Sequence, residues 1–353
     1  AIDRRQRVRF GRCLGGAESA AATAIVRLRG GPALVVGFGQ DGGDTQAWYW
    51  QVDGLGYARR SGSFGSQGPD AALAALPWEG GAWLVGRTSG TNGGDALLLR
   101  LDDQLRAVVQ RDLDLGGDER AVAVIADHDG TPWVLVEGTL AGTDGPERAA
   151  WLIALRADGQ TWKQARIPLT ADGFGRPLAI DKESVWIAGS SGAGESATGF
   201  LRVVSVGSAT VDPADGASVP GSVLAMATQR DGALAVVGSR GEGPNRRLWL
   251  GGRDGKRRWL KPRSLPAAVG GEAVGMVALR RGILLWTGGG AGDPPGRLFT
   301  VDPRGRSRQI AALDGFWPVG AIETPGRLLL VAGAARGCGR DGLDAAVVFL
   351  AAP

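Results

Sequence analysis

The chain runs as short apolar blocks, rich in valine, leucine and alanine, separated by polar, glycine-rich turns. Seven of these blocks close on a glycine: 33–36 before Gly37, 83–85 before Gly86, 133–137 before Gly138, 186–188 before Gly189, 235–237 before Gly238, 285–287 before Gly288 and 330–332 before Gly333. Neighbouring glycines are 49, 52, 51, 49, 50 and 45 residues apart. A strand-only repeat of this length predicts one four-stranded blade per period, and so an all-β, seven-bladed β-propeller.

The second repeat shows the unit. Ala71 to Leu76 is a run of small apolar residues, the expected innermost strand, and Trp83 to Val85 is the second. A polar loop (87–94) precedes a third strand at 95–102, and the alternation over 105–113 marks a half-exposed outer strand. Third strands are expected also at 47–53, 150–156, 200–206, 248–252, 297–302 and 344–350; the fourth blade's outer strand is expected near Ala209 to Asp212. Tight connections at 156–159, 253–255 and 302–305 carry the Asp-Gly or Pro-Gly chemistry of hairpins. The seventh repeat stops after its third strand, while residues 7–14 form an orphan strand ahead of the first repeat. The N-terminal strand is therefore expected to complete the last blade, which removes two free edges.

The stretch 85–102, a strand end followed by a Gly/Ser/Thr loop, Asp-Ala, an apolar run and Leu-Asp, resembles a bacterial β-propeller repeat family often found in exported proteins. The resemblance implies a seven-bladed fold and an exported location, and no chemistry. WD40 repeats are a poor match: no Trp-Asp dipeptide closes a strand, and one histidine cannot supply a repeated Gly-His.

A length of 353 residues alone suggests two or more domains. Stacked repeats extend one core instead, so a single domain over 1–353 is expected, with blades near 17–65, 70–116, 118–170, 174–217, 219–266, 270–313 and 316–353 plus 1–14. No stretch reaches the ~20 continuous apolar residues of a membrane span. The net charge of +4 is carried mostly by arginine; with so much alanine and glycine, such a composition more often reflects a GC-rich genome than a nucleic-acid partner, and no nucleic-acid partner is expected. The chain starts at Ala1, as it would after removal of a signal peptide, which adds to the expectation of a periplasmic or secreted protein.

Cys13 and Cys338 are the two cysteines, and the proposed closure puts both in the last blade at the same end. A disulfide between them would contribute roughly 5–6 kcal/mol by the chain-entropy estimate and would call for an oxidising compartment.

No reactive constellation stands out. His128, the single histidine, lies in a turn, which argues against histidine catalysis and histidine metal sites. The acidic clusters at 112–119 and 340–344 offer carboxylates to calcium without the spacing of a calcium loop, so no metal or cofactor is assigned. Of the twelve tryptophans, ten fall in second, third or outer strands, where they are expected to pack between blades; Trp78 and Trp317, at the ends of inner strands, are better placed for a ligand.

Residues just before the inner strands should ring a channel mouth: Glu18, Asp70, Arg120, Arg176, Ser222, Glu272 and Trp317. A basic edge is expected over three consecutive blades, from Arg257, Arg258, Lys261 and Arg263 through Arg304, Arg306 and Arg308 to Arg4, Arg5, Arg7, Arg9 and Arg12. With long polar loops on one face, these features lead to the expectation of a non-catalytic interaction scaffold, an exported accessory or subunit that docks an acidic protein. The alternatives are a lyase or glycan hydrolase at the channel mouth, with Glu18, Asp70 and Glu272 as acid/base groups, and a glycan-binding lectin.

Overall fold

The computed structural model describes residues 8–351 apart from 17, 91–92, 143–144, 170–173, 181–182, 192–197, 230, 242–246, 255–257, 267–272, 280–281, 289–295, 303–305, 314, 325–327 and 336–343. The first strand is β1 (Val8–Cys13). Blade one is β2 (Ser19–Arg27), β3 (Ala33–Asp41), β4 (Asp44–Val52) and β5 (Ala58–Phe64). Blade two is β6 (Ala71–Trp78), β7 (Gly81–Gly90), β8 (Gly93–Leu101) and β9 (Ala107–Leu113). Blade three is β10 (Gly117–Ala126), β11 (Pro132–Gly142), β12 (Gly145–Leu155) and β13 (Thr161–Pro168). Blade four is β14 (Phe174–Ile180), β15 (Ser184–Ser191), β16 (Thr198–Ser205) and β17 (Val211–Pro220). Blade five is β18 (Ser222–Thr228), β19 (Leu234–Arg240), β20 (Arg247–Arg253) and β21 (Trp259–Ser264). Blade six is β22 (Ala273–Ala278), β23 (Ile283–Thr287), β24 (Gly296–Val301) and β25 (Ser307–Leu313). Blade seven is β26 (Phe316–Glu323), β27 (Leu328–Ala335) and β28 (Asp344–Ala351).

Each sheet has four strands, and in blade seven the order is β1-β28-β27-β26. The fold is a seven-bladed β-propeller, and the N-terminal strand completes the last blade as its sequence implied, with Cys13 opposite Ala346 and Val8 opposite Leu350. The β17 strand runs later than the expected 209–212, because its pairing with β16 slips between Leu201 and Val203.

The repeated glycine has a steric cause. In blades one and two the first strand bulges between Ala22 and Ala24 and between Ala72 and Ala74. A Cβ on Gly37 or Gly86 would collide with the carbonyl oxygen of Ala21 or Ala71 at that bulge. Blade three bulges between Ala121 and Ala123, and there Val136 stands where Gly86 stands in blade two. Gly138 lies two residues beyond that place and makes room for something else, described below.

The chain forms two compact units. The first, Val8–Pro168 with Val319–Ala352, holds blades one to three and most of seven. Its core lies between neighbouring sheets: Leu34 and Val36 meet Leu84, Leu97 and Leu99, while Trp83, Val85 and Leu98 meet Val136, Trp151 and Ile153. The second unit, Leu169–Pro318, holds blades four to six, where Trp186 and Val203 pack with Val236 and Trp249, and Val237 and Leu248 with Leu285 and Phe299. Fully burying one such aliphatic side chain contributes about 1.5–3 kcal/mol. Trp50, Trp83, Trp133 and Trp186 are fully buried, as expected. Trp162 and Trp259 correct the expectation: they lie on outer strands with no fifth strand to cover them, and remain about half exposed.

Candidate functional site

The bulges fix which residues of successive blades are equivalent. Two positions before the bulge stands Asp70 in blade two and Glu119 in blade three. Both are fully buried. The sequence reading placed Asp70 and Arg120 at a hydrated mouth, and the register corrects this by one residue: the equivalent of Asp70 is Glu119. Asp70 is moreover a structural acceptor, its carboxylate taking the Ser66 amide at 2.7 Å and the Ser89 amide at 3.2 Å. Arg120 is half-buried and paired with the buried Glu137 at 3.2 Å.

Around Glu119 the chemistry differs. Carboxylate oxygens of Asp95 on β8, Asp114 just beyond β9 and Glu119 on β10 all lie within 4.8 Å of one another. Neither oxygen of Glu119 makes a hydrogen bond of good geometry. Burial pushes the Glu119 pKa up; the nearby Gly117 and Leu115 amides oppose this, and Asp114 and Asp95 add to it. Asp95 is raised by burial and then by Asp114 and Asp112, and Asp112 by burial and then by Asp70. No described ion pair reaches the three carboxylates; the nearby Arg87 guanidinium pairs with Asp118 at 3.2 Å. A second cluster, Asp127, His128 and Asp129, surrounds a turn. There Asp127 is committed to the Asp129 and Thr131 amides and the Trp133 indole N–H, and His128 is exposed, as its turn position implied.

A cleft of about 330 Å³ opens between blades five and six. Its floor is apolar, from Leu234, Leu250, Ile283 and Val301, and Arg253, Lys261 and Arg263 line its walls. Arg253 packs against two indoles that meet edge-on, 4.8 Å from the Trp186 ring centre and 5.3 Å from that of Trp259. Lys261 and Arg263 are exposed on β21.

The rest of the basic edge divides. Arg258 donates its backbone N–H and its guanidinium Nε to Asp254, both at 2.9 Å, and Arg306 does the same to Asp302 at 2.9 and 2.7 Å. Arg106 repeats the clamp on Asp102, 2.9 Å for each contact. These arginines hold the turns between third and fourth strands, a role that the Asp-to-Arg spacing of four residues carries in the sequence and that was passed over. Arg308 is exposed, and Arg12 lies 3.7 Å over the Tyr57 ring. Arg4, Arg5, Arg7, Arg257 and Arg304 lie outside the described residues, as does the side chain of Arg9.

Of the remaining expected mouth residues, Glu18 is exposed just before β2, and Ser222 and Trp317 are half-buried at the starts of their strands. Glu272 and the side chain of Arg176 lie outside the described residues. Among the described residues no cysteine is a free thiol; Cys338 lies outside them.

No protein-family model and no curated protein matches the chain. Solved structures do match. Sqt1 from Chaetomium thermophilum aligns with TM-score 0.54 and 13% identity, over 99% of both chains. A chimera of apocarotenoid oxygenase and RPE65 aligns at 0.51 and 13%, covering 99% of this chain and 95% of that one. A variant of Synechocystis apocarotenoid oxygenase aligns at 0.50 and 12%, covering 98% and 92%. The likeness is one of fold.

It nevertheless corrects the expectation of a non-catalytic scaffold. That expectation took a propeller without an evident reactive constellation to be an interaction frame, yet the frame is shared, over nearly the whole of both chains, with an oxygenase. Architecture gives no ground for assigning a non-catalytic role.

Proposed function

We propose that the chain is a ligand-binding propeller whose cleft between blades five and six takes a small amphipathic carboxylate. The observation that carries this reading is the convergence of Arg253, Lys261 and Arg263 on a floor of Leu234, Leu250, Ile283 and Val301. An apolar body with one anionic end satisfies both halves of such a surface, and a volume of about 330 Å³ fits a ligand of that size. A guanidinium already packed against two indoles loses little freedom on pairing with a carboxylate.

The test is a titration with decanoate, followed by the fluorescence of Trp259 and Trp186 beside Arg253. Saturable binding is expected, weakened at least about tenfold in Lys261→Glu/Arg263→Glu, since one lost charge-assisted contact is worth about that factor. Decanol, which has the same body without the charge, should bind about tenfold more weakly than decanoate. Equal binding of the two, or an unaffected double variant, refutes the reading.

We further propose that Cys13 and Cys338 are bonded in an oxidising, exported location. Support comes from the absence of a free thiol at Cys13 and from the pairing of its strand with β28 in the blade that also contains Cys338. Thiol titration of the denatured, unreduced protein should find neither cysteine; two reactive thiols would remove both the bond and the argument for export.

A further inference from the structure

Blades one and two meet in the same register as blades two and three, so the chain carries its own comparison. At the first junction the equivalent positions are Gln46, Gly65 and Asp70; at the second they are Asp95, Asp114 and Glu119. The first is satisfied by protein alone. Asp70 takes two backbone amides, and the Gln46 side-chain amide donates to Asp44 and to the Ser66 carbonyl, both at 3.0 Å. The second replaces a neutral amide and a glycine with two more carboxylates, and supplies the buried one with no hydrogen bond of good geometry. A buried carboxylate facing two like charges, with only the nearby Gly117 and Leu115 amides to offset them, is costly unless something positive sits among them.

The surrounding chain is shaped to hold these groups in place. Gly90 lies directly against the Asp95 carboxylate, where any side chain would collide with it. The Gly116 amide donates to Asp114 at 2.7 Å and so fixes one of its oxygens. The glycine displaced in the repeat, Gly138, clears the space for Glu119: a Cβ there would stand 2.9 Å from Glu119 Cγ and 3.1 Å from the Trp151 ring.

We propose that Asp95, Asp114 and Glu119 bind one divalent cation, calcium, between blades two and three. All the donors are hard oxygens, without the imidazole or thiolate that would favour zinc. Oxygens sharing a calcium ion at about 2.4 Å can stand at most about 4.8 Å apart, and the three carboxylates meet that limit. Three carboxylates from three separate strands or strand ends form an irregular set, open at the exposed Asp114 for water to complete the shell. This suits calcium, which tolerates variable geometry, better than magnesium, which demands an octahedron. The ion would join the third strand of blade two to the first strand of blade three, as the Asp70 backbone N–H, donated to the Thr45 carbonyl, joins blades one and two.

The experiment uses the full chain stripped with EDTA. Trp151 lies beside Glu119 and can sensitise terbium, a luminescent stand-in for calcium. Terbium emission on tryptophan excitation should saturate at one ion per chain and be displaced by calcium in preference to magnesium, and calcium should raise the melting temperature. In Glu119→Gln the affinity should fall at least about tenfold, since even residues behind a metal ligand cost 10–100-fold when changed. The melting temperature of that variant should no longer respond to calcium. Should Glu119→Gln fail to fold, Asp114→Asn, at an exposed position, carries the same expectation. Asp129→Asn, in the other acidic cluster, should leave the signal unchanged. The proposal is overturned if wild type shows no calcium-dependent melting shift, if magnesium displaces terbium as well as calcium does, or if the Glu119 and Asp114 variants respond as wild type does. Loss of the signal in Asp129→Asn instead would also overturn it.

Discussion

Replacing Asp70 with alanine tests whether this carboxylate is a structural acceptor or a residue of an open rim. It is fully buried and takes two amide hydrogen bonds, one at 2.7 Å and one at 3.2 Å. Bonds to a charged acceptor contribute about 1.5–3 kcal/mol each, with the shorter bond toward the upper end and the longer toward the lower, giving about 4 kcal/mol together. Removing the charge also relieves about 1 kcal/mol of burial cost, since an unpaired buried polar group costs ~1–3 kcal/mol and this one is largely satisfied. A net loss of about 3 kcal/mol is expected. It should appear as a lower urea midpoint at unchanged slope when unfolding is followed through the buried tryptophans. A second readout is independent of stability. The Asp112 pKa is raised by burial and then by Asp70, so it should move down toward the ordinary carboxylate range in Asp70→Ala, as NMR titration would report. A variant within about 0.5 kcal/mol of wild type, the range of ordinary surface changes, would refute the reasoning and restore Asp70 to an open rim.

Other outcomes follow from the same geometry. Asp127→Ala removes the acceptor of two turn amides and of the buried Trp133 N–H, and should cost about 2–4 kcal/mol in urea unfolding. Leu105 sits at φ 59 in a turn whose counterparts carry Gly56 and Gly159, yet its side chain is buried; Leu105→Gly should relieve about 1 kcal/mol of backbone cost and forfeit about 2–3 kcal/mol of burial, a net loss of about 1–2 kcal/mol. The Asp102 carboxyl is held below its ordinary 3.8 by the Arg106 amide, against some burial, with the Arg106 guanidinium helping. Its folded-state pKa is thus below its unfolded one, so its contribution is present above pH 3.8 and is lost as pH falls through the lower folded value. The stability gap between wild type and Asp102→Asn should therefore close only below that pH, and a gap constant down to complete acid unfolding would rule the clamp out.

The period, the blade count and the closing strand could all be read from the sequence because each has a local cause: a glycine under a bulge carbonyl, a polar turn, a strand without a partner. Trp162 and Trp259 were misread because residue type says what a side chain can pack against, and only the sheet order shows that an outer strand has no neighbour on one side. Arg258 and Arg306 looked like free charge because a clamp inside a turn and a docking arginine have the same composition. The carboxylate cluster was half visible, since 112–119 is conspicuously acidic. That stretch holds Asp114 and Glu119; the third member, Asp95, stands far off in the sequence on β8, and only the sheet pairing brings it alongside them. A one-residue shift exchanges the two faces of a strand, so at the channel mouth the expectation fell on the half-buried Arg120 in place of the buried Glu119.

That error shows what a repeat protein adds to the reading of its own site. The position two before the bulge is Ala20 in blade one, Asp70 in blade two, Glu119 in blade three and Gly221 in blade five, and all four are buried. The propeller frame is therefore indifferent to the side chain there, provided that it is small or satisfied. Alanine and glycine need nothing, and Asp70 is met by the amides of Ser66, in the connection from blade one, and of Ser89 on β7. Glu119 is the larger of the two charged residues and makes no hydrogen bond of good geometry, and only the nearby Gly117 and Leu115 amides offset the like charges beside it. Folding by itself gives no reason for that sequence of choices, since the alanine solution is available in blade one. A bound positive ion does give a reason, because it converts three mutually repelling carboxylates into ligands and makes the junction of blades two and three conditional on the ion.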